Sequence, residues 1–459
     1  MNTPRSVHIK TFGCQMNVYD SDRMSASLQT KGYRVEPNPA NADVILINTC
    51  SIRAKSEQKV LSLLGQLRPL KKKNPEMVIG VAGCVGQRMG RTLLQRVPHL
   101  DLVFGPDSID RVFDLVESAR RHGKRAVDTQ MDGPGRTYTQ PAVIHEAKPA
   151  EFLTIMKGCD HFCTYCIVPF VRGREKSRPI AEVLDDVRKL VARGTREVTF
   201  LGQNINTYGK GTPENLAQLI EQTHAIEGLE RIRYVTSHPR DLGTDLIEQF
   251  GRLEKLCPSL HLPFQSGSDR ILKRMSRLYT REQYLEKIRL LKQACPEIAL
   301  STDIIVGFPG ETEEDFQSSI DVVREVGFTM AYMFKYSPRP GTRAFAYEGE
   351  EVPESVKDER LARLQDIAMA PIEAGNVALI GTKTPVLIES MDKKALYYSG
   401  RSPHNRRVHV LNAGDACIGK ILEVEVTEAN ASNLRGYYVG APRLDRRSQE
   451  GLPAPVCHA

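Results

Sequence analysis

Up to residue 120 the chain repeats one pattern: a short apolar, β-branched run, a cysteine at its carboxyl end, then a segment with apolar positions at helical spacing. The runs are 7–14, 43–50 and 77–84, closed by Cys14, Cys50 and Cys84. Helix-compatible segments follow at 19–30, 53–67 and 86–96, and a fourth unit occupies 102–120. Strands alternating with helices predict a doubly wound parallel sheet. The stretch 122–150 has no period, contains Asp132-Gly133-Pro134-Gly135 and reads as a linker.

A second alternation begins at Glu151. Six apolar runs, at 152–157, 197–202, 231–237, 259–263, 300–306 and 330–336, alternate with amphipathic helical segments. A closed eight-unit barrel needs about 250 residues, more than 151–375 supplies, so a partial (βα)6 barrel is expected. From 376 the period becomes that of strands. Five short runs, at 385–388, 396–399, 407–411, 419–426 and 435–439, predict a small C-terminal β-barrel. Residues 442–459 read as a tail. The expected fold class is α/β multidomain, with domains at 5–121, 151–375 and 376–441 and a linker at 122–150.

Composition bounds the function. A chain of 459 residues exceeds what one core serves, and 41% hydrophobic content is that of an ordinary globular protein. There is no stretch of about 18 apolar residues and no apolar leader after Met1, so membrane insertion and secretion are not expected and a cytoplasmic protein is. Ten cysteines in such a length are too few for a disulfide scaffold, and a reducing compartment leaves them available for metal. The net charge of +7 tilts weakly towards a polyanionic partner.

Chemistry concentrates in Gly158-Cys159-Asp160-His161-Phe162-Cys163-Thr164-Tyr165-Cys166, which puts three thiols on one loop after an apolar strand. A closed structural zinc site wants four protein ligands, whereas a four-iron cluster can be held by three sulfurs with one iron left for a small molecule. Two alternatives stand beside that reading. His161 completes a Cys3His zinc site, or the cysteines are buried apolar residues. Cys14, Cys50 and Cys84 end successive strands of a sheet whose carboxyl-end loops converge, so they can meet. Their places before helix amino termini favour thiolate. Burial at strand ends is the alternative. Cys257, Cys295, Cys417 and Cys457 lack such spacing and are read as non-functional, and His238 and His261 as structural.

The C-x3-C-x2-C spacing of Cys159, Cys163 and Cys166 resembles the signature of the radical S-adenosylmethionine (SAM) superfamily. Gly13-Cys14-Gln15-Met16-Asn17, Asn48-Thr49-Cys50-Ser51-Ile52-Arg53 and Gly83-Cys84 resemble the methylthiotransferases, in the branch acting on N(6)-dimethylallyladenosine of tRNA. Sister enzymes for threonylcarbamoyladenosine or a ribosomal-protein aspartate usually carry other residues after the first two cysteines. The resemblance, which covers nearly the whole chain, implies two 4Fe-4S clusters, one binding SAM on Cys159, Cys163 and Cys166 and one auxiliary on Cys14, Cys50 and Cys84. It implies one SAM as methyl donor and one as source of a 5′-deoxyadenosyl radical, with sulfur joined to carbon 2 of the adenosine at tRNA position 37.

Strand ends in such barrels hold the cofactor, which nominates Gln203, Asn204, Gln265 and Gly307. Arg172 and Arg174 are candidate phosphate contacts, with a solvated basic loop as the alternative. The last segment resembles a TRAM domain, an RNA-binding module similar to an OB fold. There Lys393, Lys394, Arg401, Arg406 and Arg407, interleaved with Tyr397, Tyr398 and His404, suit a phosphate backbone and stacked bases. Glu389, Glu423, Glu425 and Glu428 dilute that charge. The expected partners are the anticodon stem-loop of tRNA and an electron donor such as flavodoxin or ferredoxin, and a monomer is expected. A zinc-containing RNA-binding protein without catalysis is the reading from a different class.

Overall fold

The computed structural model describes residues 5–50, 54–123, 125–131, 133, 135, 137–138, 148–347, 349–392 and 397–441. The expected tail at 442–459, Ser51-Ile52-Arg53, Lys393 and Lys394 lie outside these. The first sheet comprises β1 (Ser6–Phe12), β2 (Arg34–Val35), β3 (Val44–Thr49), β4 (Val78–Ala82), β5 (Leu102–Phe104) and β6 (Ala126–Asp128). All its strands are parallel, in the order β2-β1-β3-β4-β5-β6. Helices α1 (Gln15–Gln29), α2 (Ala54–Lys73), α3 (Gly83–Arg96) and α4 (Val112–His122) make the crossovers. Every residue of β3 and β4 is buried, which is why their sequences are continuous apolar runs rather than alternating ones.

The chain runs from β1 to β2 at one edge and returns to β3 on the other side of β1, so the strand order reverses between β1 and β3. Loops diverge at such a reversal and leave a crevice at the carboxyl ends. Cys14 follows β1 and Cys50 follows β3. The sheet extends further than expected, because β6 pairs with β5 inside the stretch read as linker, where Val127 covers the apolar face.

The central domain has the six expected strands: β7 (Ala150–Thr154), β10 (Glu197–Leu201), β11 (Arg231–Tyr234), β12 (Ser259–His261), β13 (Ala299–Val306) and β14 (Met330–Lys335). They form two parallel three-stranded sheets, β11-β10-β7 and β12-β13-β14. Between β11 and the segment before β12 the ladder shrinks to the single bridge Ile232–Leu256, since the next donor, Ser259 N, turns back onto the Cys257 carbonyl at 2.7 Å. One apolar core, including Phe200, Phe264 and Phe316, lies between these strands and the helices around them. The helices are α5 (Val168–Arg172), α6 (Ile180–Ala192), α7 (Leu216–His224), α8 (Thr244–Arg252), α9 (Asp269–Arg274), α10 (Arg281–Ala294), α11 (Glu313–Val326) and α12 (Glu354–Val377). The expected strand 152–157 is broken at Ile155. Its last two residues, β8 (Met156–Lys157), pair antiparallel with β9 (Lys176–Ser177) and pinch shut the base of the cysteine loop.

Helix α12 runs past the expected boundary at 375 into a closed barrel ordered β15-β16-β17-β19-β18. Its strands are β15 (Lys383–Asp392), β16 (Tyr397–Arg401), β17 (Arg407–Val410), β18 (Ile421–Ala429) and β19 (Asn433–Tyr438). Two buried arginines of β11 fasten this barrel to the central domain. Arg231 donates to the carbonyls of Arg401 and Pro385, at 2.7 and 2.9 Å. Arg233 donates to those of Pro403 and Ser402, at 2.7 and 2.8 Å, and its Nε to Glu197 at 2.8 Å. Arg233→Ala leaves Glu197 buried without its best partner and is expected to cost about 3–5 kcal/mol in urea unfolding, with faster tryptic release of the C-terminal barrel.

Candidate active site

Loops from three strands bring Cys14, Cys50 and Cys84 together. Cys14 is the residue before α1, and Cys84 lies in the first turn of α3. Gly13, at φ +134°, is pressed so closely on its neighbour that a Cβ there would stand 2.5 Å from the Cys50 Cβ. A Cβ on Gly83, at φ +81°, would stand 2.7 Å from the Thr49 carbonyl oxygen. Both positions need the backbone that glycine alone adopts freely and the space that it alone leaves. A buried amide network ties the loops. Asn17 Nδ2 donates to Asn48 Oδ1 at 3.0 Å, Asn48 donates to the Asn17 carbonyl and Ser21 Oγ, and Cys14 Sγ lies 3.3 Å from Asn17 Oδ1. The hydrogen bond with Cys50, aided by the charge of Arg172, outweighs burial and draws the Cys14 thiol down to about 6. Burial pushes the Cys84 thiol up.

The second trio sits on the loop that β8 and β9 pinch. Cys159 N donates to the Gly173 carbonyl at 3.1 Å, Cys166 N to the Cys163 carbonyl at 3.0 Å, and Gly158 N to Gln203 Oε1. Asp160 N and Glu175 Oε1 meet at 3.0 Å, closing the loop from its far arm. Burial raises the thiols of Cys159 and Cys166, the latter to about 12, and Cys163 adds to both shifts. Arg277, wholly enclosed, places Nη1 3.6 Å from Cys163 Sγ and donates through Nη2 to the Pro263 carbonyl at 3.0 Å. No sequence signal marked Arg277: it stands far from the motif in the chain, and only the fold brings it back.

The two trios face each other across α5. Cys84 packs with Ile167 and Val171, and Arg172 donates through Nε to Cys84 Sγ at 3.3 Å and through Nη2 to Asp20 at 2.7 Å. The Arg172 side chain is 6% exposed, so it is not the surface phosphate contact that the sequence suggested. Arg174 is exposed and ion-paired with Asp160 at 2.7 Å. Arg406 is half-buried, its Nε on Asn376 Oδ1 at 2.9 Å, while Arg407 faces solvent.

Of the nominated cofactor contacts, Gln203 anchors the cysteine loop and Asn204 donates to Asp241 at 2.8 Å, its Oδ1 being buried without a partner. Gln265 sits at a positive φ of 68°, paired through its backbone with Asp303 and Ile305. Gly307 donates its N–H to Glu311 and lies against Lys357. His161 is turned onto Asp241, at 2.5 Å, and stacks on His238 with ring centroids 4.1 Å apart. Burial, then the charge of Arg277, pushes the His238 imidazole far below its usual range, which keeps it neutral.

Each site offers three thiols, two glycines let the strand ends of the first draw together, and an arginine stands on a sulfur of each. That donor set fits an anionic iron-sulfur cluster better than a solvated thiol, because guanidinium N–H groups stabilise negative sulfur out of water.

Residues 6–105 match the family described as uncharacterized protein family UPF0004, and residues 153–323 match the radical SAM superfamily. A tRNA-2-methylthio-N(6)-dimethylallyladenosine synthase of Cereibacter sphaeroides is 46% identical over 96% of this chain and 100% of its own. The chain belongs to this family of synthases. Members from Methylobacillus flagellatus and Geobacter sulfurreducens are 45% and 44% identical, each over 96% of the chain. Among solved structures, the radical SAM methyltransferase TsrM from Kitasatospora setae aligns at TM-score 0.57 and 15% identity, covering 74% of each chain. The cobalamin-dependent SAM radical enzyme OxsB aligns at 0.50 and 14%, covering 79% of this chain and 56% of its own. Those likenesses are of fold.

Arg172 is the contact on which this synthase's two cysteine sites meet, and its removal leaves Asp20 charged and enclosed. Arg172→Met is expected to lower stability by about 3–5 kcal/mol in urea unfolding, and Asp20→Asn in the same chain to restore part of the loss.

Proposed function

We propose that this chain adds a methylthio group to carbon 2 of N(6)-dimethylallyladenosine at position 37 of tRNA. One observation carries the reading: two three-thiol sites confront each other across α5, in a chain that matches such synthases over their full length. Carbon 2 of adenine has no acidic proton and no leaving group, so acid–base chemistry has nothing to act on and hydrogen removal by a radical does.

Cys159, Cys163 and Cys166 would hold one 4Fe-4S cluster with a vacant iron for SAM, and Cys14, Cys50 and Cys84 the auxiliary cluster. The chemistry these groups supply when bound is reductive cleavage of one SAM, the source of the radical that takes the carbon 2 hydrogen, and methyl transfer from a second SAM to the sulfur inserted.

The protein's own part is placement and exclusion of water. Gln203 and the β8–β9 pinch hold the SAM-side loop, and Arg277 balances charge on Cys163. Asn204, Gln265 and Gly307 stand at strand ends where the cofactor would lie. Arg172 sets the distance between the two sites and balances charge on Cys84. Arg407, Arg401 and the exposed face of the C-terminal barrel suit the anticodon stem. The reaction needs an electron donor, for which a flavodoxin or ferredoxin serves, and a monomer in the cytoplasm accounts for the whole reading. No helix among the described residues is long and apolar enough to cross a membrane.

Anaerobically reconstituted Cys163→Ala should hold about half the iron of the parent and form no 5′-deoxyadenosine. Unchanged 5′-deoxyadenosine would refute the assignment of that trio. Cys50→Ser should also lose about half the iron yet still cleave SAM, while mass spectrometry of an isopentenylated anticodon stem-loop finds no methylthio product. Iron content at the parental level in Cys50→Ser would remove the auxiliary site.

A further inference from the structure

Most large apolar side chains around the cysteine loop are buried, and three rings are not. Phe162, between Cys159 and Cys163, is 40% exposed, Phe170 of α5 is 48% exposed and Phe345 is 50% exposed. Phe162 and Phe170 meet edge to face with centroids 6.1 Å apart. The Arg174 guanidinium lies over the Phe162 ring, its carbon 5.2 Å from the centroid, held there by Asp160, which takes its Nε at 2.7 Å. On the other flank, Ala344 N donates to the Thr164 carbonyl at 2.8 Å, which seats exposed Arg343 and Phe345 against the same loop. Exposed rings of this size ordinarily leave water, so three of them flanking one loop call for an occupant.

We propose that Phe162, Phe170 and Phe345, with Arg174 and Arg343, form the surface on which unpaired bases beside the target adenosine stack. This rests on the reading of the chain as a tRNA-modifying enzyme and adds to it the residues that hold the loop. Every base has a π-face, and aromatic rings interleaved with arginine are the side chains that bind such faces without reading sequence. A paired stem presents phosphates and grooves but no unstacked face, so the loop and not the stem is the occupant. The position agrees with the charge. The rings border the loop that carries the SAM-side cysteines, so a nucleotide whose adenine enters there brings its neighbours across these rings, and the arginines meet its phosphates.

The test measures binding of a fluorescein-labelled anticodon stem-loop to the reconstituted enzyme by anisotropy, with iron content and circular dichroism confirming that each variant is intact. Phe170→Ala is expected to weaken binding by between about fivefold and a hundredfold, with Phe170→Leu nearly as weak because it keeps apolar area but loses the ring. With a stem-loop made abasic at the nucleotide next to the target, the same substitution should cost much less. Phe345→Ala gives an independent reading should Phe170→Ala fail to fold. Parental affinity in Phe170→Ala and Phe345→Ala, or an equal loss with the abasic RNA, would overturn the proposal. A loss confined to isopentenylated RNA would overturn it too, assigning the rings to the prenyl tail. Failure of the enzymatic reading looks different: the parent would then lack iron or SAM cleavage whatever the RNA affinities.

Discussion

Arg172 carries a full charge into a place where it and Asp20 are almost out of water, and it spends its second N–H on Cys84. A charge so buried is tolerated only with its partners in place. Its partners belong to the first domain, while Arg172 itself ends the helix that leaves the second cysteine loop. The contact therefore fixes how far apart the two sulfur sites stand. It also fixes which side of the first sheet faces the barrel mouth. The glycines at 13 and 83 serve the same end, letting three strand ends approach one another more closely than side chains would permit.

Around this contact the architecture falls into order. The reversal of strand order between β1 and β3 supplies a crevice, and Cys14 and Cys50 occupy its two lips. The six-stranded barrel offers its carboxyl ends to the same space, with Arg277 returning from beyond α9 to the sulfur of Cys163. Along β11, Arg231 and Arg233 hold the C-terminal barrel by four carbonyls, which makes its orientation part of the fold rather than of a linker.

Much of this was legible before any coordinates. Strand–helix alternation predicts both the parallel sheet and the six-unit barrel, because apolar period is imposed by burial along each element. The two cysteine trios stand out because packing alone neither places thiols at the ends of successive strands nor crowds three of them into one loop. What the pattern could not reveal were interactions between residues distant in sequence. Arg172 reads as a basic loop residue and proves to be buried, and the run 152–157 reads as one strand although its end turns to pair with β9. Similarly, the stretch after 122 lacks period yet contributes β6, since three residues at a sheet edge are too few to show one.

The sequence by itself determined most of the elements that form and which side chains are candidates for metal chemistry, because both are set by local period and by the spacing of donors along the chain. Only the tertiary structure decided how those donors are charged, closed in and opposed. Desolvation and ion pairing depend on the neighbours that a fold supplies. An arginine is a surface cation or the keystone between two sulfur sites according to whether Asp20 and Cys84 happen to lie beside it.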